Sequence, residues 1–366
     1  MRIDSFETHK ITIKMKPENL SFGKVDRVQY VLVRIQAGEY QGWGEAATLA
    51  GPSWSEESQE SIKSVIDNYL SGTFLRKDTK DYYKISKLMD ERVRGNNFAK
   101  AAVEMALIDA YCRELGVPVF ALWGNYATSI PLSWTIANND EDLDAEEASL
   151  MIKRGWKILK VKVGSLPVEA DLRRLRRIRE AAGDQVSIRI DANQGWRYDQ
   201  VVSTLSELKR LRIHFLEQPL PKQDLMGLSR LASLSEVPIM ADESLTDLRD
   251  AVNLITNRAA SIFSYKLTKM GGLVKARAIY EVANAHGVAS YIGCMIETSV
   301  GTAAYLHFAS ALPELEFGCE LFGPLRLQGD ITNRGVEYGR GEVFVPKGEG
   351  LGIEVDQNRL SKFKEA

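Results

Sequence analysis

Residues 1 to about 55 carry short apolar runs rich in Val, Ile, Tyr and Trp, in the stretches RIDSFETHKITIK, VQYVLVRIQ and YQGWGEAA. Broken by turn residues, such runs predict strands. The period then changes. EESQESIKSVIDNYL, DYYKISKLMDERV and AKAAVEMALIDAYCREL read as helical patterns, the last with small and apolar residues at three- and four-residue spacing and Gly116 and Pro118 just beyond it. That pattern predicts helices. Strands followed by helices without alternation point to an α+β domain ending near residue 125.

From Pro131 onward the two patterns alternate. PLSWTIA predicts a first strand and EDLDAEEASLMIKRG an amphipathic helix. A series of apolar segments then ends each time in charge: Lys160 and Lys162 in WKILKVKVG, Asp191 in VSIRIDANQ, Glu217 in IHFLEQP, Asp242 in VPIMADES and Lys266 in FSYKLTK. The steps from Lys160 are 31, 26, 25 and 24 residues, the length of one strand, one crossover helix and two loops. VASYIG (288–293) and LEFGCE (315–320) predict a seventh and an eighth strand. Eight such units predict an α/β fold, a TIM-type barrel with its site at the carboxyl ends of the strands. A doubly wound sheet is the rival, but no GxGxxG or Walker A sequence opens any unit. The expected division is 1–125 as a capping domain, 126–320 as the barrel, and 321–366 as a segment returning to the cap.

Composition narrows the function classes. An apolar fraction of 45% supports a large core, while 47 basic against 49 acidic residues give a net charge of -2 and no bulk attraction to nucleic acid or membrane. No run approaches membrane-spanning length and the start has no secretory core, so a cytoplasmic protein is expected. Cys112, Cys294 and Cys319 are widely spaced and read as reduced thiols. His9, His214, His286 and His307 form no ligand pair. Any metal is therefore expected to have oxygen ligands.

The charged strand ends supply such ligands. Asp191, Glu217 and Asp242 on consecutive strands would repel one another unless a cation neutralised them, and three carboxylates with open water positions suit Mg²⁺ or Mn²⁺. Taken singly, Asp242 reads equally well as a helix cap. Lys160 and Lys162, two apart, share one strand face; taken alone they read as a solvated face. An amine held there beside other cations would lose proton affinity and serve as a base. Lys266, on the sixth strand, would stand across the barrel. Asn193 would support the metal or a ligand, and Glu243 either orients a lysine or opens a helix. A metal between two opposed amines suits chemistry at a carbon next to a carboxylate.

With these residues the chain resembles the muconate lactonizing branch of the enolase superfamily, over essentially its whole length. The motifs KxK, DxN, EQP, ADES and KxxKxGG stand here as Lys160/Lys162, Asp191/Asn193, Glu217 to Pro219, Asp242 to Ser244 and Lys266 to Gly272. Residues 44–63, the NNFAKAAVEMALIDA helix and FGCELFGPL resemble muconate and chloromuconate cycloisomerases in particular. The resemblance implies a modified barrel interrupting an α+β cap, an active-site Glu320, and homo-oligomers, often octamers. Dipeptide epimerases of the branch typically carry a DxD pair where this chain has Glu320 and Phe322. Ile292 stands where those cycloisomerases commonly have glycine, which implies a narrowed pocket. Leu49, Trp54 and Phe322 are candidate pocket walls, with core packing as the alternative.

The expected function is cycloisomerization of muconate or a substituted relative, a small dicarboxylate. Lys162 would protonate an enolate stabilised by the metal, Lys160 would tune it, Lys266 would face it, and Glu320 would contact the lactonizing end. The alternatives are a racemase or epimerase of N-acyl amino acids or dipeptides using both lysines, and a non-catalytic metal-stabilised binding protein.

Overall fold

The computed structural model describes residues 1–364. Three antiparallel strands, β1 (Ser5–Leu20), β2 (Gly23–Ala37) and β3 (Tyr40–Thr48), form the amino-terminal sheet in sequence order. The run expected to be one helix over 56–70 begins with Ser58 as N-cap. It divides into α1 (Gln59–Val65), a π turn (Ile66–Leu70) and the following α2 (Ser71–Phe74). Next come α3 (Tyr82–Arg92) and α4 (Asn97–Leu115). Helix α4 is buried almost all round, which its Ala-rich, weakly amphipathic sequence allows. It lies tight on β3: a Cβ on Gly44 would stand 2.0 Å from the Ala102 carbonyl oxygen.

A short pairing of β4 (Ser129–Pro131) precedes the barrel. Seven parallel strands follow in spatial order: β5 (Trp134–Ile136), β6 (Ile158–Lys162), β7 (Ser187–Asp191), β8 (Ile213–Glu217), β9 (Ile239–Ala241), β10 (Ile262–Tyr265) and β11 (Ala289–Ile292). Between them run α5 (Glu141–Lys153), α6 (Val168–Ala182), α7 (Tyr198–Arg210), α8 (Leu225–Leu234), α9 (Leu248–Thr256), α10 (Leu267–Met270) and α11 (Leu273–Ala285). Helix α12 (Ser299–Ser310) follows β11.

The expected eighth strand over 315–320 is reduced to Cys319, which bridges Leu132 on one side and Ile292 on the other. Gly318 explains the shortening. Its φ of +64° leaves the extended region, and a Cβ there would meet the Pro131 carbonyl oxygen at 2.4 Å. The barrel therefore closes through single-residue bridges.

Beyond α13 (Gly323–Arg326), β12 (Glu342–Phe344) pairs with β4, and α14 (Gln357–Phe363) ends the described fold. Bridges Met15–Leu327, Pro118–Gly350 and Ile11–Lys364 tie this part of the chain to the amino-terminal elements. The last two residues of the expected segment 321–366 lie outside the described residues. No described helix is long and apolar enough to cross a membrane.

The amino-terminal unit meets the barrel through buried acids on α4. Glu104 accepts the Val274 amide at 2.9 Å at the start of α11, and its second oxygen is buried without a partner. Burial pushes its carboxyl up to about 7. An acid whose folded pKa exceeds its unfolded value stabilises the fold below the unfolded value and loses that contribution as pH rises through the folded one. Glu104→Gln should therefore gain stability relative to wild type as urea unfolding is repeated from about pH 4.5 to 7. A constant difference between the two proteins across that window would contradict the assignment.

Candidate active site

Strand alternation sorts the barrel side chains by face. Leu159 and Val161 of β6, and Ile188 and Ile190 of β7, join the large apolar layer, while Lys160, Lys162 and Asp191 turn inward to meet one another. A second, small cluster of Phe215, Met240, Ile262 and Tyr291 fills the barrel interior. Strand register places Lys162 beside Asp191 and Asp191 beside Glu217. Gln218, at φ +32°, then stitches two strand ends together. Its Oε1 accepts the Asp242 and Ser244 amides at 3.0 and 3.1 Å, and its Nε2 donates to the Ser244 hydroxyl at 2.7 Å. That clamp fixes Asp242 relative to Glu217.

The charged groups interlock. Lys160 is fully buried, with Nζ 3.1 Å from Asp191, 2.6 Å from Glu217 and 2.8 Å from Glu320. Lys162 donates to Asp191 Oδ2 at 2.6 Å and to Asn193 Oδ1 at 3.0 Å. Asn193 in turn donates to Glu243 at 3.0 Å. Lys266 donates to Asp242 Oδ2 at 2.7 Å, and Lys269 to Asp242 Oδ1 at 2.7 Å. Asp242 thus answers two lysines and caps no helix. The partner of Glu243 is Asn193, where a lysine was one of the expected roles. Lys269, seen in sequence only as part of a motif, grips the same carboxylate as Lys266.

Electrostatics reverse one expectation. Burial opposes charge on Lys162 and Lys160 lowers its proton affinity further, but Asp191, Glu320 and Glu217 together outweigh both, and the amine lies above the ordinary lysine range. Burial opposes charge on Lys160 too, and Asp191, Glu217 and Glu320 hold it well above that range. The carboxylates outnumber the neighbouring amine, so proximity of two lysines alone does not make either a free base. Asp242, despite its burial, is held well below the usual carboxylate range by Lys266 and Lys269. Burial and the charges of Asp242 and Asp191 push Glu243 up to about 7.

A cavity of about 30 Å³ opens above this cluster. Leu49, Trp54, Lys162, Asn193, Lys266, Glu320 and Phe322 line it. Lys266 lies 4.4 Å from the centre of the Trp54 ring. Ile292 does not line it. On β11 Tyr291 faces inward to Ser133, so Ile292 turns to the outer apolar layer and leaves the pocket width untouched. Glu18, Leu20, Phe22, Cys294 and Ile296 also line the cavity and were not anticipated. Cys112, Cys294 and Cys319 are buried free thiols.

Among the described residues no group of three His, Cys, Asp or Glu side chains stands arranged to hold a metal ion; lysine amines lie against the carboxylates. The donor chemistry nonetheless fits a hard divalent cation, since Asp191, Glu217 and Asp242 offer only oxygens from neighbouring strand ends. Both Glu217 carboxylate oxygens are buried without a hydrogen bond. Burial and the charges of Asp191 and Asp242 push that group well above the usual range, a repulsion a cation among the three would relieve.

The chain matches the model of the mandelate racemase / muconate lactonizing enzyme amino-terminal domain over residues 3–124 and the enolase C-terminal domain-like model over residues 143–359. A chloromuconate cycloisomerase of Pseudomonas sp. (strain P51) is 38% identical over 369 residues, covering 100% of both chains. The crystal structure of a muconate lactonizing enzyme from Pseudomonas fluorescens, complexed with muconolactone, superposes with a TM-score of 0.97 at 34% identity, covering 100% of this chain and 99% of that one. An L-Ala-D/L-Glu epimerase from Bacillus subtilis, in a substrate-liganded complex, gives 0.93 at 34% identity, covering 96% and 99%.

Cation binding at the three carboxylates should appear as stability. Mg²⁺ at one hundred times its dissociation constant should stabilise the wild type by about 2.7 kcal/mol, seen as a rise in its thermal midpoint. Glu217→Gln should lose that rise. An equal rise in both proteins would place the ion elsewhere.

Proposed function

The chain belongs to the mandelate racemase / muconate lactonizing enzyme group of the enolase superfamily, and on that footing we propose that it is a cycloisomerase of muconate-type dicarboxylates. The observation that carries this reading is one pocket that Lys162 and Lys266 both line, set over the buried carboxylates Asp191, Glu217 and Asp242. Close similarity over the full chain to a chloromuconate cycloisomerase supports the choice of substrate class.

Asp191, Glu217 and Asp242 would hold Mg²⁺ or Mn²⁺, which when bound supplies Lewis-acid stabilisation of charge developing on a substrate carboxylate. Lys162 holds the proton to be delivered. Its amine is kept charged by Asp191 and aimed by Asn193 Oδ1. One substrate carboxylate oxygen adds to the diene, the displaced electrons reach the carbon next to the other carboxylate, and the Lys162 proton completes a C–H bond there. The lactone keeps one carboxylate where the substrate had two, so each turnover takes up one proton, which Lys162 regains from water. Lys160 does not line the pocket. Its place is beneath Lys162, holding Asp191, Glu217 and Glu320 together. Lys266 offers a positive charge from the side of Trp54, and Glu320 stands at the lactonizing end. Leu49, Trp54 and Phe322 exclude water, which strengthens every charge interaction in the site. The cavity has room for about one water molecule, so Leu49 and Trp54 must yield for substrate to enter.

In the same reading 1–125 caps, 126–320 carries the chemistry and 321–366 returns to the cap, in a cytoplasmic homo-oligomer. Epimerization of a dipeptide is the second reading. It is favoured by the two lysines lining one pocket and by the structural likeness to an L-Ala-D/L-Glu epimerase.

With Mg²⁺ or Mn²⁺ present, the wild type should consume cis,cis-muconate with loss of its ultraviolet absorbance. Lys162→Ala should cut kcat by about 10²- to 10⁴-fold. Near-wild-type turnover by that variant would remove Lys162 from its role.

A further inference from the structure

The hairpin between β1 and β2 reaches the mouth of the barrel. Leu20 pairs with Gly23, so Ser21 and Phe22 form its two-residue tip. Leu20 and Phe22, which flank Ser21, line the pocket. Two sets of contacts seat this tip on the barrel rim. Just before it, the Asn19 amide donates to the Ala137 carbonyl at 3.0 Å and the Asn19 side chain to the Asn138 carbonyl at 2.9 Å, in the loop after β5. At the tip itself, the Ser21 hydroxyl donates to the Asn193 carbonyl at 2.6 Å, in the turn after β7.

The backbone that Ser21 grips is strained. Asn193 and Gln194 stand at φ +39° and +66°, and the Gly195 amide closes the turn on the Ala192 carbonyl at 2.7 Å. Positive φ at both central residues is the mark of a type I′ turn, which asparagine tolerates better than glutamine does. Such a backbone persists only where its surroundings hold it. From within the barrel, Asp191 Oδ1 accepts the Asn193 amide at 2.9 Å and the Gln218 carbonyl accepts the Gln194 amide at 2.8 Å. The hold on the Asn193 carbonyl comes from the amino-terminal sheet, through Ser21.

This turn carries the residue that sets the proton donor. Asn193 Oδ1 accepts from Lys162 at 3.0 Å, while its Nδ2 donates to Glu243 at 3.0 Å. A shift of the Asn193 backbone therefore moves the oxygen against which the Lys162 amine is set. Ser21 is not among the residues lining the pocket, and its route to the chemistry is through Asn193 alone.

We propose that Ser21 is a positioning residue: the hairpin tip, seated on the barrel rim, holds the Asn193 turn and thereby aims Lys162, so that proton delivery depends on closure by the amino-terminal sheet. The assignment rests on the reading above, in which Lys162 is the proton donor.

The test compares Ser21→Ala, which removes only the hydroxyl, with Ser21→Thr, which keeps it, in the Mg²⁺-supplemented full-length protein. Turnover is measured with cis,cis-muconate and, separately, with an Ala-Glu dipeptide. On the compound the wild type converts, Ser21→Ala should lower kcat by about 10- to 100-fold with KM within about twofold. Ser21→Thr should keep kcat within about threefold of the wild type. Hydrogen exchange read by mass spectrometry needs no substrate: Ser21→Ala should speed exchange in the peptide spanning 191–197, and Ser21→Thr should not. Wild-type kcat in Ser21→Ala, a rise in KM alone, or unchanged exchange over 191–197 would each overturn the proposal. A wild type inactive on both compounds removes the proton-donor reading instead, a result distinct from an unchanged exchange pattern, which removes Ser21.

Discussion

Everything at the mouth of the barrel follows from crowding carboxylates where water cannot reach them. Asp191, Glu217 and Asp242 have no exposure, and Glu243 and Glu320 have 3% each. Charges placed there repel strongly unless countered on the spot. Lys160 and Lys162 on β6, Lys266 just after β10 and Lys269 in α10 supply the counter-charge. The balance is uneven. Asp242, gripped by two lysines, is held ionised, whereas Glu217 and Glu243 keep their protons more readily than free carboxyls do. A divalent cation is the natural complement of such a site. The same crowding keeps Lys162 charged.

The barrel can hold this cluster because its outer face is apolar and its register is strict. A slip of one residue in β6 or β7 would send lysines or Asp191 into the helical layer. Below the cluster, Phe215, Met240, Ile262 and Tyr291 fill the interior and keep it dry. Above it, the amino-terminal unit contributes Leu49, Trp54 and Glu18 to the pocket. That unit is anchored by α4, where Asp109 accepts amides from Trp43 and Leu351, both at 2.8 Å, and Glu104 caps α11.

Much of the site was legible in the sequence because strand periodicity sends alternate residues to one face. Lys160, Lys162, Asp191, Glu217, Asp242 and Lys266 meet for that reason. The misreadings have local causes. Ile292 was placed in the pocket by resemblance, but it adjoins inward-facing Tyr291 and so faces out. The eighth strand failed at Gly318, whose left-handed backbone no apolar pattern reveals. The lowered amine expected of Lys162 ignored how many carboxylates share its surroundings. Glu18 was missed because the register of β1 is irregular between Lys14 and Glu18, where burial falls at Met15, Glu18 and Leu20 instead of keeping strict alternation. Gln218 and Lys269 stood inside recognised motifs, yet their contacts to the Asp242 backbone and carboxylate depend on a turn and a short helix that spacing does not define.

The most direct test of lysine-delivered protonation in a lactonizing reaction is proton NMR of the product formed from cis,cis-muconate in D₂O with Mg²⁺ present. A muconolactone carrying one deuterium, on a single face of the carbon next to its free carboxylate, is the expected result. Absence of lactone, with α-hydrogen exchange in a dipeptide under the same conditions, would contradict cycloisomerization and make the opposed lysines an epimerizing pair.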